Sequence, residues 1–384
     1  MKVAVLGYGT VGAGVYSMLS DAPGMEAGPV LVRPGKAVES FMVSDAALIF
    51  GDPTVDAVVE TLGGLDPAYS YGMRALEAGK HFITANKVMV ASHGLELAAL
   101  AREKGAAFLF SAACGGGVPF LHNLALSAET DRIEAVSGIL NGTTNYMLDA
   151  MQRRGLSYGD ALREAQSLGY AESDPTADVS GLDALRKMQL ACAVAFGVLP
   201  QSGMLCEGME HFTAADVEDI QSRGLVCRLM ARGSRAGESV SAYVEPVLFP
   251  RAAPESSVFT NNNMARYTGK RCGSIVLMGQ GAGRFSTASA VLRDLSAAQQ
   301  GTRSMFPENC RAAEADNREA VHSYYIRTGG FAAVRLSLRS VLAQGEVVRA
   351  VTEPMSAEKM HALAQNIRKD GNDLFFAALE EELC

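Results

Sequence analysis

Tryptophan is absent from the 384 residues, and aromatic residues make up only 7%. A base-stacking platform for single-stranded nucleic acid rests on aromatic faces, so their scarcity argues against one. A basic excess is missing too: 34 Lys and Arg stand against 42 Asp and Glu, a net charge of −8. Neutralising a phosphate backbone needs a basic face, so no nucleic-acid partner is expected, although a local pocket for one small phosphate is not excluded. Long apolar runs are also missing. The best candidate, Met188 to Pro200, falls short of the roughly 18–20 residues of a membrane span and reads as a buried helix. The opening Met1-Lys2-Val3-Ala4-Val5-Leu6-Gly7 is too short in apolar length for a signal peptide. The seven cysteines are scattered without a C-x-x-C pair, which signals neither zinc nor a redox couple. Reduced thiols in a cytoplasm, with no membrane contact, are the expectation. Repeats and low-complexity tracts are absent.

What is present is a chain long enough for two or three domains, at roughly 100–200 residues each. Short β-rich runs at 2–6, 30–32, 56–60, 81–84 and 107–110 alternate with helical patterns at 9–19, 69–78 and 94–104. Alternation at this spacing predicts a parallel sheet covered on both faces, an α/β doubly wound (Rossmann-type) domain over residues 1–128. The texture then changes. A strand at 133–139, helices at 145–154, 158–168 and 183–196, and strands at 240–249 and 273–278 predict an α+β domain over 129–280. A helix at 287–297 is expected to return to the first domain. Residues 301–384 form a C-terminal extension, with strands expected at 323–327 and 346–351 and a helix from 356 to about 369.

Gly7-Tyr8-Gly9-Thr10-Val11-Gly12 matches G-x-G-x-x-G directly after a strand and at the opening of a helix. Gly7 permits the tight turn, Gly9 lets the backbone approach a pyrophosphate, and Gly12 allows close helix–strand packing. The helix N-terminus then supplies N–H donors and a positive dipole. Dinucleotide binders that use NAD place an acid at the end of the second strand for the ribose 2′-hydroxyl. Here that position reads Val32-Arg33-Pro34-Gly35-Lys36, with two bases and no acid. NADP is therefore the expected cofactor, with NAD the alternative.

The stretch Gly169 to Lys187 gathers Glu172, Asp174, Asp178 and Asp183 ahead of a lysine. Asp183 and Lys187 are four apart and so share a helix face. Lys187 leads into an apolar helix, where burial lowers an ammonium's pKa while an adjacent carboxylate raises it. A lysine balanced in this way is suited to proton delivery near neutral pH. Glu172, Asp178 and Asp183 together are suited to holding a substrate ammonium group.

With these motifs stand Val58-Val59-Glu60-Thr61-Leu62-Gly63-Gly64, Thr84-Ala85-Asn86-Lys87, Gly115-Gly116-Gly117-Val118-Pro119, Asn141-Gly142-Thr143-Thr144-Asn145-Tyr146, and Gly281-Ala282-Gly283 with Thr287-Ala288-Ser289-Ala290. In this order, over residues 1 to about 297, they make the chain resemble the homoserine dehydrogenase family. The resemblance implies reduction of L-aspartate 4-semialdehyde to L-homoserine with NADPH or NADH, on the route to threonine and methionine. It implies Lys187 as the catalytic lysine and Lys87 as a lysine beside nicotinamide and substrate. Asp183 and Glu172, with Asp178 nearby, match the residues that bind the amino-acid end. Thr143 falls in the turn at the substrate pocket, Gly169 and Gly283 beside the nicotinamide, and Arg33 at the cofactor-binding arginine of NADP-using members. A homodimer or homotetramer, joined through the second domain, is implied as well.

Three departures from the family pattern stand out. The loop that holds a monovalent cation (Na⁺ or K⁺) normally opens with Glu, and here Ser111 takes its place. The backbone carbonyls of Cys114, Gly116 and Val118 still offer the oxygens a hard cation prefers, but the lost charge should weaken the site. The Pro before Thr-Ala-Ser is Ser286. The C-terminal extension stands where many members carry a regulatory ACT domain, without the usual glycine-bearing effector turn; it is expected to be a divergent ACT-like region. Ser111 and this tail motivate one alternative, a non-catalytic paralogue that senses cofactor or amino acid.

Overall fold

In the computed structural model, which describes residues 1–329 and 337–380, the first apolar runs become a six-stranded parallel sheet. Its strands are β1 (Lys2–Leu6), β2 (Glu26–Leu31), β3 (Met42–Val43), β4 (Ala57–Glu60), β5 (His81–Thr84) and β6 (Phe108–Leu109). Their order is β3-β2-β1-β4-β5-β6, and every neighbouring pair is parallel. Val3 to Leu6 and Ala57 to Glu60 are wholly buried, which is why these strands read as continuous apolar runs and not as alternation. The order reverses between β1 and β4. In doubly wound sheets that reversal opens a ligand crevice at the carboxyl ends of the strands.

Glycine permits a close helix contact in this unit. A Cβ at Gly14, in the helix Thr10–Leu19, would lie 2.7 Å from the carbonyl of Arg284. That carbonyl opens the helix Arg284–Gln299. Met1–Ile133, Gln189–Leu199 and Gly279–Arg311 make up this compact unit.

The second unit comprises Glu134–Met188, Pro200–Met278 and the chain from Ala312 onward. It is built on a ten-stranded sheet. Its main strands are β7 (Ile133–Ile139), β8 (Leu225–Ala236), β9 (Ser239–Pro250), β10 (Asn262–Gly269), β11 (Gly273–Gln280), β12 (Tyr324–Gly329), β13 (Leu338–Ala343), β14 (Val347–Thr352) and β15 (Leu374–Leu379). They run in the order β11-β10-β7-β8-β9-β15-β12-β14-β13, with the short strand Leu205–Cys206 paired to β9. β8 and β9 form a long antiparallel hairpin of twelve paired positions.

The C-terminal segment does not stand apart from this unit. β15 pairs in parallel with β9, and β12 to β15 extend the sheet as four antiparallel strands. Charge pairs tie them in. Arg327 meets the buried Asp216 at 2.7 Å, Arg368 grips Glu207 with both terminal nitrogens at 2.7 and 2.9 Å, and Arg232 meets Glu380 at 2.6 Å. The expected strands at 323–327 and 346–351 and the helix near 356–369 are present as β12, β14 and Ala357–Lys369. Strands β8, β10, β13 and β15 are additions that the sequence pattern did not announce. Among the described residues no helix is long and apolar enough to cross a membrane.

Candidate active site

The first unit carries a glycine-rich turn between β1 and the helix Thr10–Leu19. Gly7 has φ +99°, a conformation glycine adopts freely, and its N–H donates to the Leu31 carbonyl at 3.0 Å. A Cβ at Gly12 would lie 2.1 Å from the Gly7 carbonyl, so helix and turn touch only because Gly12 has none. A Cβ at Gly9 would meet nothing within 4 Å. The three glycines thus divide into two that the protein's own packing demands and one that opens onto free space. The first turn of the helix, which begins at Thr10 and Val11, holds no acidic residue. The helix dipole and the N–H donors of that turn suit an anion such as a pyrophosphate, so the residues fit a dinucleotide. Arg33 lies exposed beyond the end of β2, and Lys36 folds back to donate its N–H to the Arg33 carbonyl at 3.0 Å.

Lys87 is the first residue of the helix Lys87–Lys104, seven residues earlier than the periodicity indicated. Asn86 caps that helix by accepting from the Met89 N–H at 3.1 Å. Gly283, at φ +129°, precedes the helix Arg284–Gln299. Ser286, in the place of the family's proline, donates its hydroxyl to the Gly283 carbonyl at 3.2 Å.

The glycine loop that follows β6 packs tightly. A Cβ at Gly116 would lie 2.3 Å from the Gly281 carbonyl. Ser111 does not leave a vacancy in charge. Its N–H and hydroxyl both donate to the buried carboxyl of Asp294, at 2.8 and 2.5 Å. Burial pushes Asp294 up to about 7, against the pull of those two hydrogen bonds. The next residue back, Arg293, donates to the Gly117 carbonyl at 3.1 Å. The Val118 carbonyl accepts from Phe120 N–H at 2.7 Å. The guanidinium fixed on this loop disfavours a monovalent cation, because the like charge repels it. Among the described residues no cluster of three or more His, Cys, Asp or Glu side chains is placed to hold a metal.

The second unit brings four of the expected residues together. The helix Leu182–Phe196 presents Asp183 and Lys187 on one face, as their spacing requires. Lys187 Nζ donates to Asp183 Oδ2 at 2.7 Å and to the Leu140 carbonyl at 2.6 Å. Both side chains are 12% exposed. A pair this sheltered is screened far less than a surface ion pair. Asn141 joins the cluster: its Nδ2 donates to Asp183 Oδ2 at 2.9 Å and to Asp178 Oδ1 at 2.7 Å. Its Oδ1 meanwhile accepts from the Thr144 N–H at 2.8 Å, capping the helix Gly142–Arg154. Burial raises the pKa of Asp178, with the Asn141 bond opposing and the Asp183 charge reinforcing the rise. Thr143 donates its hydroxyl to the Tyr170 carbonyl, tying this helix to the loop after Gly169.

Glu172 is not brought in by its side chain. It lies exposed, and its backbone carbonyl accepts from Gln166 at 3.1 Å. Gly169, at φ +74°, follows the helix Tyr158–Ser167. The residues that sequence reasoning did not single out are Asn141 and the Leu140 carbonyl. Asn141 carried a signal, an Asn at the start of a helical stretch, which is a favoured N-cap residue. A backbone carbonyl carries none.

A dinucleotide-binding sheet with a separate unit bearing a sheltered lysine–carboxylate pair defines a nicotinamide-dependent oxidoreductase. Comparison with known proteins narrows the class. Residues 7–111 match the family model described as "Homoserine dehydrogenase, NAD binding domain", and residues 119–296 match the one described as "Homoserine dehydrogenase". A homoserine dehydrogenase of Synechocystis is 37% identical over 319 residues, covering 77% of this chain and 72% of that protein. One from Corynebacterium glutamicum is 38% identical over 314 residues, covering 76% and 70%. The crystal structure of a homoserine dehydrogenase from Thiobacillus denitrificans superposes with a TM-score of 0.88 at 29% identity, covering 99% of this chain and 98% of that one. The chain belongs to the homoserine dehydrogenase family, as an oxidoreductase and not as a non-catalytic paralogue.

Proposed function

We propose that this chain reduces L-aspartate 4-semialdehyde reversibly to L-homoserine, with NADPH preferred and Lys187 as the proton donor. The observation that carries the residue assignment is the Lys187–Asp183 pair, with the ammonium fixed from two sides by Asp183 and the Leu140 carbonyl. When bound, the nicotinamide supplies the hydride. Lys187 then gives its proton to the carbonyl oxygen as charge develops there, and its positive charge stabilises that oxygen beforehand. Asp183 holds the ammonium charged and aimed. Asp178, whose pKa burial and the Asp183 charge raise, gains from a substrate ammonium, which would bring it back down. Glu172 serves the same end of the substrate from the exposed loop, and Thr143 holds the pocket's turn in place.

In the first unit, Gly7, Gly9, Thr10, Val11 and Gly12 receive the pyrophosphate, and Arg33 takes the 2′-phosphate, since no acid competes at that strand end. Lys87, Gly169 and Gly283 serve the nicotinamide side. No step is assigned to a cation; a site made from the carbonyls of Cys114, Gly116 and Val118 is weak beside Arg293. The order and antiparallel sense of β12 to β15 support the ACT-like reading of the extension. A homodimer in a cytoplasm completes the proposal.

Steady-state oxidation of L-homoserine with NADP⁺ and, separately, NAD⁺ tests it. NADP⁺ should be favoured, and Lys187→Ala should lower kcat by about 10²–10⁴-fold, the usual worth of a positioned acid–base group. NADPH binding, followed by cofactor fluorescence, should hold. Wild-type turnover in Lys187→Ala would remove the proton-donor assignment.

A further inference from the structure

Glu60 ends β4, and its side chain is completely buried. Nothing in the strand asks for an acid there: β4 pairs with β1 and β5 through its backbone, and its other residues are Ala and Val. Burial pushes the Glu60 pKa up, and only the hydrogen bonds it accepts pull it back. A group so costly to bury is explained by what it holds.

It holds two turns. Oε1 accepts from the N–H groups of Leu62 at 2.7 Å and Gly63 at 3.0 Å, which orders the loop after β4. Oε2 accepts from the Thr84 hydroxyl at the end of β5. The Thr84 oxygen in turn accepts from the Asn86 N–H at 2.9 Å. Asn86 Nδ2 returns to the Gly64 carbonyl at 2.6 Å, which closes a ring of hydrogen bonds between the two turns. The other amide atom, Asn86 Oδ1, caps the helix whose first residue is Lys87. The turns lie at the carboxyl ends of β4 and β5, the edge where doubly wound sheets bind their ligands.

We infer that Glu60 is a positioning residue for the reaction: through Thr84 and Asn86 it fixes the turn that presents Lys87. This rests on the proposed place of Lys87 beside nicotinamide and substrate. Glu60→Gln removes the charge that draws in the Leu62, Gly63 and Thr84 donors, and with its amide oxygen toward Leu62 and Gly63 the Thr84 hydroxyl must turn from donating to accepting, so the charge-assisted bonds of the ring are weakened. Thr84→Val deletes the relay with little change of volume, and Thr84→Ser restores it.

The test measures kcat, KM for L-homoserine and NADPH affinity in the wild type, Glu60→Gln, Thr84→Val, Thr84→Ser, Lys87→Ala and the Glu60→Gln/Lys87→Ala double variant. Glu60→Gln and Thr84→Val should each lower kcat by about 10-fold or more, in keeping with the cost of a small misplacement of a reacting group. NADPH affinity should stay within about threefold, and Thr84→Ser should turn over like the wild type. In the Lys87→Ala background Glu60→Gln should cost less than about twofold more, because both changes act through one chain. Additive losses in the double variant, or full kcat in Glu60→Gln and Thr84→Val, would overturn the positioning role. If Glu60→Gln does not fold, the Thr84 pair alone decides the matter. A folded wild type inactive on homoserine removes the reaction itself, and full activity in Lys87→Ala removes the role of that lysine. Each outcome is distinct from a failure of the Glu60 link.

Discussion

Asp294 is a single residue whose environment sets a measurable pH response. Its carboxyl is buried and titrates near 7 in the folded chain, against 3.8 for an ordinary aspartate. Between those values the folded state keeps a proton that the unfolded chain releases. Its contribution to stability is therefore fully present below pH 3.8, falls as the pH climbs to about 7, and is flat beyond. Asn at this position mimics the protonated acid, since its amide can face the Ser111 oxygen and its carbonyl the Ser111 N–H. The thermal midpoint of Asp294→Asn, relative to the wild type, should rise from pH 5 to pH 8. A difference that stays level across that range would show that Asp294 does not titrate there. This residue was silent in the sequence: the loss of the family's Glu at Ser111 was legible, but not the carboxyl from 183 residues away that faces Ser111. Lys187 and Asp183 were legible, because i and i+4 on a helix meet whatever surrounds them.

The phosphate turn is an element whose glycines do different work. Gly9 has φ −80°, which any residue adopts, and open space at its Cβ. Gly9→Ala should therefore melt within a few degrees of the wild type while NADPH affinity falls by about tenfold or more, as the methyl enters the pyrophosphate's space. Gly12→Ala should do the reverse in kind, losing stability first, because its methyl would collide with the Gly7 carbonyl. Thermal melts and cofactor titrations of the two variants separate the roles. Equal destabilisation in both would refute the division. At this scale the alternating α/β pattern placed β1, β4 and β5 well. It missed β8, whose Leu225–Ala236 holds three arginines and a glycine and shows no clean period. Arg228 is buried there because its guanidinium meets the carbonyls of Glu255 and Ser256, each at 3.1 Å, and no local pattern announces such partners.

For the molecule as a whole, the C-terminal segment is the part that sequence division treated as separable. β9 is buried along nearly its whole length, and β15 covers its open edge. Ending the chain at Arg311 would uncover the edge of β9 at Val247 and Leu248 and leave Asp216 and Glu207 without Arg327 and Arg368. An unpaired buried charge costs about 3–5 kcal/mol, and a bare edge of this kind invites aggregation. The truncated chain should go to inclusion bodies under conditions where the full chain is soluble; a soluble, active truncate would contradict this reading.

The sequence by itself determined the dinucleotide turn, the parallel sheet, the lysine–carboxylate pair and the family, since each rests on spacing within one strand, turn or helix. Tertiary structure alone decided that Asn141 bridges two carboxylates, that Asp294 answers Ser111, that Glu60 ties two turns, and that the last strands complete the second sheet. Those contacts join residues from 24 to more than 180 positions apart. Only the folded chain lowers the dielectric and removes the water that make such partners matter.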